Sequence, residues 1–110
     1  AEMMQGNMGQ AVDLMNILRT TRSVEGHEDE MKIEASDLTI DFILDERARE
    51  LATEFQRFFD LVRTGKLVER VKAHNPDAAP NIQEFHGLRF IPQSQIDAMV
   101  DGSSFQNPGY

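Results

Sequence analysis

The 110-residue sequence contains no cysteine. This absence excludes disulfide bonds, zinc–thiolate sites and thiol catalysis, but it is compatible with an oxidising or a reducing compartment. No apolar run approaches the roughly 20 residues that a membrane-spanning helix needs. The first residues also lack the basic start and apolar core of a signal peptide, so the chain is either cytosolic or has lost its targeting segment.

Basic residues are in the minority, since 11 Lys and Arg stand against 19 Asp and Glu, for a net charge of −8. Such a chain repels a phosphate backbone, and no basic stripe is interleaved with aromatic residues. We therefore expect no nucleic-acid partner. The sequence has no Gly-rich phosphate loop, no G-x-S-x-G and no Cys–His pair. His27, His74 and His86 lack the spacing of helical metal sites, so we expect no metal and no cofactor.

The N-terminal segment, residues 1–22, has the pattern of a partial helical hairpin. Residues 1–4 are typical of the last turn of a helix, and Gly6 and Asn7 are helix-ending residues. A second helix is predicted from about Met8 to Arg22. Such tetratricopeptide-like hairpins bury their apolar face only against neighbours. We expect an N-terminally truncated fragment of a larger α-helical protein, with these methionines facing the absent part: Met3, Met4, Met8 and Met15.

Residues 23–36 form a polar, acidic connector. Its charge and its lack of periodicity predict an exposed loop. The alternative is a cation site built from its carboxylates. Calcium loops place a turn glycine between alternating ligands, whereas Gly26 precedes the acidic residues here. The loop is the better interpretation.

The longest predicted element is a single amphipathic helix that opens at Ser36-Asp37, two good N-cap residue types, and ends near Gly65. Its apolar residues recur every three or four positions: Ile40, Leu44, Ala48, Leu51, Phe55, Phe58 and Val62. A short follow-on helix completes residues 37–74. Residues 75–110 are expected to be irregular, with a short helix near 93–99 and an aromatic tail docked onto the body.

The polar face of the long helix is densely charged. Opposite charges three or four residues apart predict the pairs Asp45–Arg49, Glu46–Arg49, Glu54–Arg57 and Asp60–Arg63, each contributing about 0.2–0.5 kcal/mol if exposed. An enzyme hypothesis pairs Glu50 with Glu54 as glycosidase carboxylates, but such groups usually converge across a cleft, and arginines neutralise both. A third interpretation has Arg47, Glu50, Arg57 and Asp60 partly buried, tying the helix to its surroundings.

Three blocks of residues, in order, resemble the C-terminal part of the SusD/RagB family of outer-membrane nutrient-binding lipoproteins. The first is Ile43, Glu46-Arg47, Glu50-Leu51, Glu54, Arg57, Asp60-Leu61 and Arg63. The second runs from Phe90-Ile91-Pro92 to Asp97, and the third is Gln106-Asn107-Pro108-Gly109-Tyr110. Upstream, residues 6–22 resemble the helix pair that precedes these blocks. Phe90 departs from the family pattern, which often has proline there.

The resemblance implies a mainly α fold for residues 1–110 as part of a SusD-like domain. It implies a cell-surface protein of the outer membrane, held by an N-terminal lipid anchor absent from this chain. Such a protein captures an oligosaccharide, or in some members a peptide, through the absent part. It caps a SusC-like TonB-dependent transporter and does not catalyse. No ligand-binding residue is carried over. The alternatives are a helical-repeat adaptor for peptide segments of other proteins and, third, a hydrolase.

The motif residues of these blocks are interpreted as scaffold and not as a binding site. They are Glu46, Arg47, Glu50, Glu54, Arg57, Asp60, Arg63, Gln106, Asn107, Pro108, Gly109 and Tyr110.

Overall fold

The computed structural model describes residues 2–102 and 105–110, and within them every regular element is helical. The mainly α prediction is confirmed. The α-helices are α1 (Met8–Thr21), α2 (Ile40–Glu50), α3 (Arg57–Arg63), α4 (Leu67–His74) and α5 (Gln93–Asp97). Short 3₁₀ helices cover Glu2–Gln5, Asp29–Met31 and Glu84–Gly87. None of the helices in this part of the chain is both long and apolar enough to cross a membrane. The chain divides into two compact units, one ending at Thr53 and the other beginning at Glu54.

The first unit opens with a short 3₁₀ turn that leads into α1. The 3₁₀ turn Glu2–Gln5 ends at Gly6, whose φ of +86° lies in the left-handed region that glycine adopts without strain. The side-chain amide of Asn7 donates to the Glu2 carboxylate at 2.8 Å, and α1 begins at the next residue. The predicted helix end, turn and second helix are thus confirmed for the residues described.

The acidic connector returns along α1 and is held to it at one end. The Asn16 side chain donates to the Ile33 carbonyl at 3.0 Å and accepts from the Ile33 N–H at 2.8 Å. Arg19 Nε donates to the Met31 carbonyl at 2.6 Å. Residues 24–30 are exposed, as predicted for a loop. The connector is therefore an exposed loop with a docked C-terminal end, and it leads into the buried Leu38.

The prediction of a single long helix from Ser36 to Gly65 is wrong about where the helix begins. The helix begins at Ile40, where the Thr39 hydroxyl caps it by accepting from the Phe42 N–H at 3.0 Å. Asp37 instead closes a preceding turn by accepting from the Glu34 N–H at 2.9 Å. The prediction failed because Ser36, Asp37 and Thr39 are all good cap residue types, and the sequence does not rank them.

The long helix is also interrupted in the middle, so it is two helices. α2 ends at Glu50 and α3 begins at Arg57. Between them Thr53 and Phe55 have φ of 74° and 57°, in the left-handed region where the i→i−4 hydrogen bonds of a helix cannot continue. Phe55 is 90% exposed and does not extend the buried stripe. The apolar periodicity ran through this segment, and neither glycine nor proline marks the break.

The second unit is built on α3 and α4, which pack against each other. Gly65, at φ +68°, ends α3 as predicted: its N–H donates to the Val62 carbonyl at 3.0 Å, and the Lys66 N–H donates to the Leu61 carbonyl at 2.8 Å. These two bonds form a Schellman motif. Leu61, Leu67 and Ile96 are buried and form the apolar core of this unit. The predicted short helices near 66–74 and 93–99 are confirmed as α4 and α5.

Candidate functional site

The first cluster of polar side chains joins α1 to α2. Arg19 Nη1 lies 2.7 Å from Glu46 Oε2, and both side chains are largely buried, at 15% and 13% exposure. Arg49 Nη2 approaches the same oxygen at 2.7 Å. Arg22, the residue that follows α1, forms a two-pronged pair with Glu50, its Nε lying 3.0 and 3.2 Å from the two carboxylate oxygens. Two of the three glutamates of the first motif block, Glu46 and Glu50, are therefore paired with arginines from the α1 segment.

The environment of Glu46 favours its charged form. Burial acts to raise the pKa of this carboxyl, but the hydrogen bond from Arg49 and the charges of Arg19 and Arg49 outweigh it, so the pKa of Glu46 lies below its ordinary value. The hydrogen bond to Glu50 likewise raises the pKa of the Arg22 guanidinium. A carboxyl group whose pKa is lowered by arginines is a poor proton donor, so the environment of Glu46 suits a structural role better than acid catalysis.

The remaining charged motif residues lie on both sides of the helix break. Arg47 is half-buried on α2, Glu54 is exposed between the helices, and Arg57 is half-buried on α3. Asp60 is buried and pairs with Arg63 at 2.9 Å. Because α2 ends at Glu50, the one-turn helical spacing that the hydrolase hypothesis gave Glu50 and Glu54 does not exist.

Two of the predicted i,i+3 pairs, Glu46–Arg49 and Asp60–Arg63, are present.

The C-terminal motif block forms a clip on the preceding segment, residues 88–91. The Gln106 side-chain amide forms hydrogen bonds with both backbone groups of Ile91. Its Oε1 accepts from the Ile91 N–H at 2.9 Å, and its Nε2 donates to the Ile91 carbonyl at 3.0 Å. Asn107 Nδ2 donates to the Arg89 carbonyl at 2.6 Å. The Tyr110 hydroxyl donates to the Leu88 carbonyl at 2.8 Å. The predicted docking of the tail is confirmed, and the contacts are hydrogen bonds as well as ring packing.

The turn that closes the clip explains its proline and glycine. The Tyr110 N–H lies 3.4 Å from the Asn107 carbonyl, with Pro108 and Gly109 between them and Gly109 at φ +96°. This is the residue pattern of a type II turn, which takes proline second and glycine third. A Cβ on Gly109 would lie 2.4 Å from Cγ of Phe85. Glycine is therefore required at position 109 both by its positive φ and by the lack of room for a side chain. The Phe85 ring also contacts Tyr110 edge-on, with 5.2 Å between ring centroids.

Each unit has a concave surface among its described residues. An apolar groove of about 300 Å³ in the first unit is lined mainly by α1, with Leu14, Met15 and Leu18, and also by Met3 and Ile43. In the second unit, a cleft of about 470 Å³ has mostly aromatic walls and one arginine beside them. It is lined by Phe58, His86, Leu88, Arg89, Phe90, Pro92 and Tyr110. We call this second surface the aromatic cleft.

The described residues contain no group of three or more side chains suited to hold a metal ion. His27 lies in the exposed connector beside Glu30, at 3.0 Å. His86 lines the aromatic cleft and stacks on Phe85 with 4.1 Å between ring centroids.

A family model described as the SusD family matches residues 1–110. The chain belongs to the SusD family. Neither the curated proteins nor the solved structures that were searched gave a match. SusD-family proteins bind glycans and other nutrients at the outer-membrane surface, and the family is one of binding proteins, not of enzymes.

Sequence reasoning missed three residues that organise this SusD-family chain. Arg19 and Arg22 lie three apart on α1 and pair with Glu46 and Glu50, although the charges of α2 were expected to pair along their own helix. Asn16, one turn before Arg19, fixes the connector. The signal available in the sequence was their common spacing, since residues 16, 19 and 22 share one helix face.

Proposed function

We propose that this chain is part of a cell-surface protein that captures a glycan and delivers it to a SusC-like TonB-dependent transporter without catalysis. The observation that carries the proposal is the family match over residues 1–110, because SusD-family proteins bind nutrients at the outer-membrane surface. A lipid anchor preceding this chain would hold the protein to the membrane. A peptide ligand, found in some members of the family, is the alternative cargo.

The state of the carboxylates supports a role without catalysis. A glycosidase needs two carboxyl groups facing one sugar linkage, one of them with a raised pKa so that it can donate a proton. Here Glu46 has a lowered pKa, and Glu50 is held by Arg22. Both carboxylates pair with arginines, and this supports a role in binding without catalysis.

The motif residues serve, in this proposal, as the frame of the domain. Their contacts join segments that are distant in sequence, both in the arginine–carboxylate pairs and in the C-terminal clip. Arg19 and Glu46 are 27 residues apart, and Leu88 and Tyr110 are 22 residues apart. Contacts of this kind fix the positions of helices and loops.

Purification of the native protein from its own cells tests the proposal. Membranes are solubilised in a mild detergent, the protein is captured with an antibody against this chain, and co-purifying proteins are identified by mass spectrometry. We expect a TonB-dependent transporter in near-stoichiometric amount, and recovery in the outer-membrane fraction. Recovery in the cytosolic fraction without a transporter would contradict the proposal.

A helical-repeat adaptor is the second candidate, and the apolar groove of the first unit favours it. Leu14 and Ile17 are 54% and 62% exposed on α1, as expected of a helix face that packs on another helix. The same purification separates the two candidates, because an adaptor would bring down a soluble protein partner in place of a transporter.

A further inference from the structure

The aromatic cleft has walls that suit a sugar ring. Phe90 and Tyr110 remain 61% and 47% exposed, and their centroids lie 6.0 Å apart with the planes tilted by 55°. The cleft volume of about 470 Å³ falls within the range of small-ligand sites, which combine apolar walls with a few polar groups. Exposed ring faces of this kind provide apolar contact for the C–H face of a sugar.

The cleft contains an arginine with no acidic partner. The guanidinium carbon of Arg89 lies 4.7 Å from the centre of the Phe58 ring and 5.6 Å from that of Phe59. Among the residues that the structure describes, no carboxylate forms an ion pair with it, whereas Arg19, Arg22, Arg49 and Arg63 all have one. In a chain of net charge −8, a stacked arginine without a carboxylate is an available anion-binding group.

The second polar group of the cleft is the imidazole of His86. Its Nδ1 lies 2.9 Å from the Gln83 backbone nitrogen and 3.2 Å from the Gln83 carbonyl oxygen, so the backbone occupies Nδ1 and leaves Nε2 for a ligand. A guanidinium can only donate, and Nε2 donates whenever it carries a proton. The polar side of the cleft therefore matches a ligand rich in acceptor oxygens.

The C-terminal clip fixes the backbone of the cleft wall before any ligand arrives. Hydrogen bonds from Tyr110, Asn107 and Gln106 hold the backbone of residues 88, 89 and 91, on either side of the Phe90 side chain. A preformed wall lowers the ordering cost of binding. The motif block interpreted as scaffold thereby positions Arg89 and Phe90.

From these observations we propose that the aromatic cleft binds a sugar residue carrying a carboxylate, of the hexuronic acid class. The carboxylate lies on the Arg89 guanidinium, whose fork matches it in shape and charge, and the sugar ring lies against Phe90 and Tyr110. This inference rests on the proposed function of glycan capture and adds to it a site and a charge class of ligand.

Isothermal titration of the full chain with a hexuronate oligosaccharide tests the inference, alongside the same oligosaccharide as its methyl ester and the neutral hexose oligosaccharide of equal length. We expect the ester and the neutral sugar to bind about 10- to 100-fold more weakly, the effect of losing a charged hydrogen-bonded contact. The ester removes the ligand charge without altering the protein. Its outcome is therefore independent of how any variant folds.

Protein variants locate the site. Arg89→Gln should weaken uronate binding by about the same 10- to 100-fold, and Arg89→Lys by less, because it keeps the charge but loses the fork. Lys72→Gln on α4 removes an exposed positive charge elsewhere in the same unit and should leave affinity unchanged. Equal loss in Lys72→Gln and Arg89→Gln would show an effect of net charge alone and would overturn the assignment of the cleft.

The results also separate this inference from the proposed function. Equal affinity for the uronate, its ester and the neutral sugar would refute the acidic-sugar site while leaving glycan capture intact. Unchanged uronate affinity in Arg89→Gln would likewise refute the site. Absence of a transporter and of any glycan affinity would instead contradict the proposed function itself.

Discussion

Each of the two units of this SusD-family chain is stabilised internally by a different kind of interaction. In the first, ion pairs join α1 to α2, with Arg19 and Arg22 on one helix and Glu46 and Glu50 on the other. In the second, the C-terminal clip attaches amide and hydroxyl groups to backbone groups of residues 88–91. Ion pairs respond to salt and pH, whereas neutral hydrogen bonds do so far less. The ion pairs between the α1 segment and α2, which we call the charged joint, should therefore depend on salt and pH. The hydrogen bonds of the C-terminal clip should depend on them far less.

The largest effect is expected at the turn of the clip. Gly109→Ala places a Cβ 2.4 Å from Cγ of Phe85 at a residue with φ +96°, so it adds steric overlap to backbone strain. We expect a loss of about 2–4 kcal/mol in the free energy of unfolding, measured by urea denaturation. Gly87→Ala is the matched control, because nothing lies within 4 Å of its added Cβ. Equal stability of the two variants would argue against the docked tail.

The second-largest loss of stability is expected at Gln106, and its dependence on salt distinguishes the neutral clip from the charged joint. Gln106→Ala leaves the N–H and carbonyl of Ile91 without their side-chain partner. We expect a loss of about 1.5–3 kcal/mol that stays the same between low salt and 1 M salt, since no charge is involved. Gln95→Ala is the control and should be close to neutral, because the Gln95 side chain is exposed on α5. A salt-dependent loss would weaken the contrast between the units.

The third effect concerns the charged joint. Glu46→Gln removes the ion pairs to Arg19 and Arg49. Because Arg49 also faces solvent, screening reduces the expected loss to about 1 kcal/mol at neutral pH and low salt. Thermal unfolding of the variant and the unaltered chain measures it, with Glu34→Gln in the exposed connector as control.

The pH dependence of that loss has a definite sign. The pKa of Glu46 is lowered in the folded state, so its stabilising contribution is present above the ordinary glutamate pKa and disappears as the pH falls through the folded value. The difference between Glu46→Gln and the unaltered chain should therefore vanish in acid. A difference that persisted at pH 2 or grew there would contradict the ion-pair account.

The smallest effect lies at the boundary between the units and has the opposite sign. Phe55→Gly should raise the free energy of unfolding by about 0.5 kcal/mol, because φ of 57° strains a residue with a Cβ and the 90% exposed ring contributes little packing. Phe55→Ala keeps the strain and serves as the control. Glycine inside a continuous helix would instead destabilise by about 1 kcal/mol. Urea denaturation of both variants thus decides between an interrupted and a continuous helix.

Predictions from the sequence succeeded where one residue type has one strong conformational preference. Gly6 and Gly65 end helical segments at positive φ, and Asn75-Pro76 follows the end of α4. Prediction failed at Thr53 and Phe55 because neither residue type favours the left-handed region, and helical periodicity passes through both. Tertiary contacts can override the helix propensity of a segment, and the local sequence does not reveal those contacts.

For the candidate site, the sequence located the residues but not all their partners. The Glu46–Arg49 pair follows from helical spacing, whereas Arg19 and Arg22 lie 27 and 28 residues from the glutamates they bind. Contacts at that separation depend on how α1 packs on α2. In the tail, the turn could be anticipated from Pro108-Gly109, but the backbone groups that Gln106 and Tyr110 bind could not, because those belong to an irregular segment.

Binding without cleavage can be measured in a single experiment. The native protein is incubated with a candidate oligosaccharide, and binding and products are followed together by calorimetry and chromatography, for the unaltered protein and for Glu50→Gln. We expect the oligosaccharide to be bound and recovered intact in both cases. Hydrolysis by the unaltered protein that is lost in Glu50→Gln would contradict it.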